Sequence, residues 1–193
     1  MKKSILGIIC AILVIAFANS CNNVTKTNAN ANDTTAVDSV DSLDSEIKNG
    51  WNYDSYVDEM DGSTTKQALV VSSNVVEFDF PYNGGSTLCL GVCHRKKFGT
   101  NVMIMTSNGQ FNANEFNGTN YVTIRFDNDA PIKFSTLESS DGSSDILFLE
   151  SPKKFIRLAK NAKTIKVEAP FFRDGWRVFT FNTNKPLEWQ VLK

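Results

Sequence analysis

Apolar residues come in short runs along the second two thirds of the chain, and turn residues separate them. These runs predict strands at 68–72, 75–80, 87–93, 102–106, 121–126, 132–135 and 146–149, then at 164–172, 176–181 and 187–192. Gly84-Gly85, Asn108-Gly109, Asn117-Gly118 and Asp141-Gly142 punctuate them, as turn chemistry requires. Within 121–126, Val122, Ile124 and Phe126 alternate with Thr123 and Arg125. Within the next long run, Ile165, Val167, Ala169 and Phe171 alternate with Lys166 and Glu168. A period of two places the apolar set on one face of a sheet. The expected fold is mainly β, a sandwich or partly open barrel of about ten short strands.

One segment breaks the period of two. Phe155, Leu158, Ala159 and Ala162 recur at helical spacing, which predicts an amphipathic helix over 151–163. Ser151 is placed to cap it, and Pro152 suits its first turn. Lys153, Lys154, Arg157, Lys160 and Lys163 occupy the other face. Such a face suits contact with a membrane or an acidic partner. Thr164 begins a strand at once, which favours a helix packed on the sheet.

The N-terminus has a different pattern. Lys2 and Lys3 precede an apolar run over 5–18, interrupted only by Gly7. A membrane span needs about 20 apolar residues, so this run reads as a secretory signal peptide covering 1–20. It ends in Phe17-Ala18-Asn19-Ser20-Cys21, which resembles a bacterial lipobox. The resemblance implies cleavage before Cys21 and a diacylglycerol with a further acyl chain such as palmitate on that cysteine. Each buried CH₂ contributes about 0.8 kcal/mol, so several chains hold a protein firmly on a membrane. The expected location is the cell envelope, lipid-anchored to a bacterial membrane, the outer one or its periplasmic surroundings.

Residues 22–50 are rich in Asn, Thr, Ser, Ala and Asp and hold no aromatic residue. A stretch of this kind buries too little apolar surface to offset its ordering entropy. It is expected to be a disordered polar tether between the lipidated Cys21 and a single globular domain over 51–193. Val37, Val40, Leu43 and Ile47 nonetheless fall at helical spacing, enough for a transient helix.

Charge and cysteine content narrow the function. Losing Lys2 and Lys3 with the signal leaves 18 Lys+Arg against 21 Asp+Glu. A mildly acidic chain argues against a nucleic-acid partner. The charge is unevenly divided, with 6 basic and 13 acidic residues in 51–150 and 10 basic and 3 acidic in 151–193. Of four cysteines, only Cys89 and Cys93 belong to the domain, which excludes a dense disulfide framework. On one regular strand their Cα atoms stand about 13 Å apart, beyond disulfide reach.

Candidate chemistry is thin. His94 is the only histidine, and it follows Cys93 and precedes Arg95-Lys96-Lys97. A Cys93/His94 hydrolase is conceivable chemically, but no orienting carboxylate lies nearby in sequence. Cys89-Leu90-Gly91-Val92-Cys93-His94 stretches the haem attachment pattern by one residue and reads as a buried strand. Two cysteines and one histidine fall one ligand short of structural zinc. Asp58, Glu59 and Asp61, Asp127 and Asp129, and Asp141 and Asp145 suggest calcium, yet none follows a calcium-loop spacing. No cofactor, no metal and no catalysis are therefore expected. Trp51, Phe172 and Trp176 remain as candidate binding aromatics, with Phe172 placed outward if Phe171 points inward.

From Trp51 to Trp189 the chain resembles an uncharacterised family of exported bacterial β-rich lipoproteins. The resemblance rests on Asp58-Glu59-Met60-Asp61-Gly62, Phe80-Pro81-Tyr82-Asn83-Gly84-Gly85 and Gly109-Gln110-Phe111. Ile124-Arg125-Phe126-Asp127, Asp145-Ile146-Leu147-Phe148 and Pro186-Leu187-Glu188-Trp189 extend it. It implies export and a β-rich domain but no activity. Trp51 with its acidic turn is also similar to the opening of type VI secretion accessory lipoproteins, which implies an assembly role. The expected function is a membrane-anchored envelope lipoprotein whose β-sandwich binds a glycan ligand or an envelope protein. A structural or secretion-associated role is the alternative, and a hydrolase is third.

Asp33-Thr34-Thr35, Asp38-Ser39-Val40 and Asp41-Ser42-Leu43 each read Asp, then Ser or Thr, then a residue with a methyl group. They resemble an O-glycosylation sequon that some Gram-negative bacteria use on exported proteins. Thr34, Ser39 and Ser42 are the expected acceptors, in a stretch accessible to a transferase. The intact mass of the native protein should exceed that of a Thr34→Ala, Ser39→Ala, Ser42→Ala variant by whole sugar residues. Masses differing only by the three substitutions would remove the modification.

Overall fold

The computed structural model describes residues 50–113 and 118–190. Cys21, Thr34, Ser39 and Ser42, with the signal peptide and most of the tether, lie outside the described residues. Among the described residues the architecture is mainly β, with eleven strands in two antiparallel sheets and one short helix. A sandwich accounts for it, and no closed barrel forms.

Nine strands make one sheet. In chain order these are β1 (Asn52–Val57), β2 (Thr64–Val71), β5 (Leu88–Arg95), β6 (Gly99–Thr106), β7 (Tyr121–Phe126), β8 (Ile132–Glu138), β9 (Ile146–Leu149), β10 (Thr164–Phe171) and β11 (Gly175–Asn182). Their spatial order is β1-β2-β5-β6-β9-β8-β7-β10-β11. A two-stranded ribbon, β3 (Val76–Phe78) with β4 (Gly84–Ser86), stands apart.

The long sheet doubles over at β8. Its residues Ile132 to Ser135 pair with β7, whereas Thr136 to Glu138 pair with β9. A strand shared in this way turns the corner between two layers. Ser73 and Asn74, just past β2, hydrogen-bond to Thr180 and Val178 of β11. That link ties the two ends of the sheet together. Val70, Leu90, Ile104, Ile124, Val167 and Phe179 then meet in one buried cluster.

The helix α1 (Pro152–Ala159) inserts Phe155 between the layers, against the rings of Phe126 and Phe134 at 5.7 and 6.4 Å. Aromatic pairs at this separation contribute beyond their buried area. The five basic residues of the segment are all exposed, so the helix is amphipathic because it packs on the domain. It is shorter than the expected 151–163, and the Ser151 side chain makes no capping bond. The early end has a cause just past β7. Asp127 Oδ1 accepts the backbone N–H groups of Lys163 and Thr164 at 2.9 and 2.8 Å and draws the chain into β10.

Three further expectations are corrected. β1 was not anticipated, because all six of its residues are exposed and mostly polar. It is an edge strand held by its ladder to β2. Gly84-Gly85, read as a turn, belongs to β4. A Cβ on Gly85 would approach Val75 to 2.5 Å, so the ribbon needs glycine there. Residues 187–190 are not a strand, although Leu187 and Trp189 are buried.

Phe155→Ala should destabilise the domain by about 3–5 kcal/mol, the usual cost of emptying a buried aromatic site. Ser151→Ala should stay within about 0.5 kcal/mol of the native chain. Urea unfolding followed by tryptophan fluorescence checks both.

Candidate binding surfaces

Two surfaces stand out, a groove at one end of the sandwich and an aromatic platform on the outside of one layer. The groove encloses about 1070 Å³. Tyr53, Lys66 and His94 form one side, and Lys160, Leu187 and Glu188 the other. The wall is built because the Glu188 N–H donates to the Tyr53 hydroxyl at 2.8 Å, pinning the closing segment to β1. Burial pushes the Tyr53 phenol above its ordinary value, with the Glu188 N–H pulling the other way. His94 Nδ1 shares a 2.8 Å hydrogen bond with Thr100 Oγ1.

Cys93 does not join His94. Neighbouring residues on a strand point to opposite faces. His94 lines the groove while Cys93 lies buried on the other side of β5. The Cys93/His94 hydrolase arrangement is thus not formed. The same parity separates both cysteines from His94 and removes the haem and zinc geometries. Neither Cys89 nor Cys93 is in a disulfide, and burial pushes the Cys89 thiol up to about 12.

The acidic clusters work as turn builders. Asp58 Oδ1 accepts the Met60 N–H and Asp61 Oδ1 the Ser63 N–H, both at 2.8 Å. Asp141 Oδ1 takes the Ser143 N–H at 2.9 Å. Hydrogen bonds from the Ser63 hydroxyl and then the Ser63 N–H hold the Asp61 carboxyl below its ordinary range, and the Ser143 N–H does the same for Asp141. Among the described residues, no three His, Cys, Asp or Glu side chains gather as a metal site.

The platform lies on the outer face of β7, β10 and β11. Pro170 pairs with Trp176, and the rings of Tyr121 and Trp176 sit 5.0 Å apart at 33°. Pro170 is buried on this face, while Trp176 remains 37% exposed. Lys133 Nζ stands 3.9 Å over the Tyr121 ring, a cation–π contact that leaves the ammonium at the platform's rim. Thr123 and Glu168 follow one row below, in register with Lys133 and with Val178. Phe172, at the tip of the β10–β11 hairpin, is 40% exposed, with Arg173 stacked on its ring at 5.5 Å.

Of the three aromatic candidates, Phe172 and Trp176 are therefore on the surface. Trp51 is a core residue at 9% exposure, which corrects its reading as a binding aromatic. The residues missed were Tyr121 and Lys133. The only signal for them was alternation: Tyr121 shares its parity with the outward Thr123 and Arg125.

The chain matches no family model, no curated protein and no solved structure. Among the described residues no helix is long and apolar enough to cross a membrane.

The raised Cys89 thiol has a measurable consequence. At about pH 8 the thiolate fraction of a group near 12 is roughly a thousandfold below that of an unperturbed cysteine. Iodoacetamide should alkylate Cys89 at least about a hundredfold more slowly in the native protein than in urea. The same shift stabilises the fold below the unfolded thiol value, and this contribution fades as pH rises from about 8.5 toward the folded value of about 12. Native and unfolded rates that agree would show that the Cys89 thiol is not shielded from water.

Proposed function

We propose that this protein is a lipid-anchored lipoprotein of the bacterial cell envelope whose β-sandwich binds a glycan on the Tyr121–Trp176 platform. The anchor reading rests on Lys2-Lys3, the short apolar run and Cys21. The family of exported β-rich lipoproteins that the chain resembles is consistent with it.

The observation that carries the binding reading is the exposed Trp176 ring beside the half-buried ring of Tyr121. Solvent-exposed aromatics on a rigid sheet are a standing cost in water unless something covers them. Sugar rings present C–H faces that lie flat on an indole, and their hydroxyls seek polar groups at the rim. Lys133, Thr123 and Glu168 supply a cation, a hydroxyl and a carboxylate beside the rings. The groove at the other end has ions of both signs but no exposed tryptophan.

Trp51 and Trp189 are buried, so Trp176 is the one exposed reporter among three tryptophans. Titration with oligosaccharides from peptidoglycan and from envelope polysaccharide should change its emission and protect it from iodide quenching. Trp176→Ala should weaken binding about thirtyfold, as loss of a central aromatic contact of about 2 kcal/mol does. Unchanged binding in that variant, or emission that no saccharide alters, sinks the platform reading. The anchor is tested separately: Cys21→Ala should move the protein from the membrane fraction to the soluble one.

A further inference from the structure

The inner face of the layer that holds β2 and β5 changes character at one end. Val70 and Ala68 of β2, with Leu90 and Val92 of β5, are buried in the core. A period of two puts Lys66 and His94 on that same face, one row further on. The register pairs Lys66 with His94, and it sets Ser55 of β1 beside the first and Thr100 of β6 beside the second. A core row carries no lysine unless water or a ligand reaches it. At this row the groove of about 1070 Å³ opens. Its size suits a small organic molecule rather than a lone ion.

The opposite wall is strapped down at two points. The Leu187 N–H donates to the Ala159 carbonyl at the end of α1, at 3.3 Å. The Glu188 N–H donates to the Tyr53 hydroxyl of β1. Between these straps and the core, Leu187 and Trp189 are buried. Trp189 is 6% exposed and lines the groove, yet its indole N–H has no hydrogen-bond partner. A buried donor left unpaired is costly, and an acceptor in the groove would relieve it.

Other donors converge on the same space. The Tyr53 hydroxyl accepts from Glu188, so its own hydrogen is left to donate. His94 turns Nδ1 to Thr100, which leaves Nε2 as the ring nitrogen for a ligand. Lys66 and Lys160 are exposed, and among the described residues neither is in an ion pair. Two carboxylates also line the groove. Asp54 is engaged within its own strand pair, Oδ1 with the Ser55 N–H at 2.7 Å and Oδ2 with the Gln67 amide at 3.5 Å. Glu188 supplies the opposing charge on the far wall.

We propose that this groove is a second binding site, separate from the aromatic platform, which holds the carboxylate or phosphate group of a small ligand. Lys66 and Lys160 supply the charge from opposite walls. The Trp189 indole N–H, the Tyr53 hydroxyl and His94 supply directed hydrogen bonds, and a bond from a neutral donor to an anion is stronger than one to a neutral acceptor.

The test is fluorine NMR of the full chain labelled with fluorotryptophan. Its three tryptophans give three resonances, each assigned by a Trp→Phe substitution. The probes are inorganic phosphate and succinate, titrated at constant ionic strength against sodium chloride. At least one of them should shift the Trp189 resonance to saturation and leave that of Trp176 in place. Saturation by phosphate alone assigns a phosphate ligand, and by succinate alone a carboxylate ligand. Lys66→Met with Lys160→Met should weaken binding at least about tenfold, as loss of two charge partners does. Both positions are exposed, and unmoved Trp51 and Trp176 resonances show that the variant is folded. Glu188→Gln should tighten binding about threefold by removing the opposing charge. A Trp189 shift that never saturates or that chloride reproduces overturns the proposal. So does a shift confined to Trp176, or affinity unchanged in the double variant. A platform that fails to bind saccharides leaves these outcomes untouched, because Trp176 reports it separately.

Discussion

Strand β8 gives its first four residues to β7 and its last three to β9, and everything else in the domain depends on that division. A nine-stranded antiparallel sheet left open exposes one whole face of its apolar residues. Turning the corner at β8 brings the face of β2, β5 and β6 over that of β7, β10 and β11. Phe155 enters from α1 where the layers diverge, touching Phe126 on one strand and Phe134 on the next. The bonds from Ser73 and Asn74 to β11 then hold the far edges together.

The two layers present different exteriors, and strand parity is the reason. In β7, β10 and β11 the outward set is polar apart from Val178 and the residues near the hairpin tip, where Tyr121, Pro170 and Trp176 line up across three strands. In β5 and β6 the outward set is apolar in its middle, at Cys89, Gly91, Met103 and Met105, and gives way to Cys93 and Asn101 beside it. Each exterior follows from sequence through a period of two. The functional contrast between an aromatic platform and an apolar stripe therefore comes from which side of each strand carries the second hydrophobic set.

What was legible in the sequence had a strong local pattern. Strands β7 and β9 were expected at their observed bounds because alternation, or a short aliphatic run between turns, marks both ends. The missed pieces lack such a pattern. β1 buries nothing and is a strand only because β2 offers it a ladder. β4 is mostly glycine and is a strand only because Val76 and Phe78 lie opposite. Trp51 was misread because an aromatic at the start of a domain gives no sign of which way it points. The helix was read too long because Asp127, far off in sequence, ends it. The Tyr121–Trp176 pair is likewise a contact between strands, and its partners are more than fifty residues apart.

The continuous apolar runs in β5 and β6 carry more meaning than their strand assignment. A strand with one wet face alternates, whereas a strand covered twice does not. Leu88 to Cys93 and Val102 to Met105 do not alternate. They behave like central strands of a three-layer arrangement in a domain whose described residues supply two layers. Such a pattern is unfavourable for an exposed surface, because a contiguous apolar face invites association.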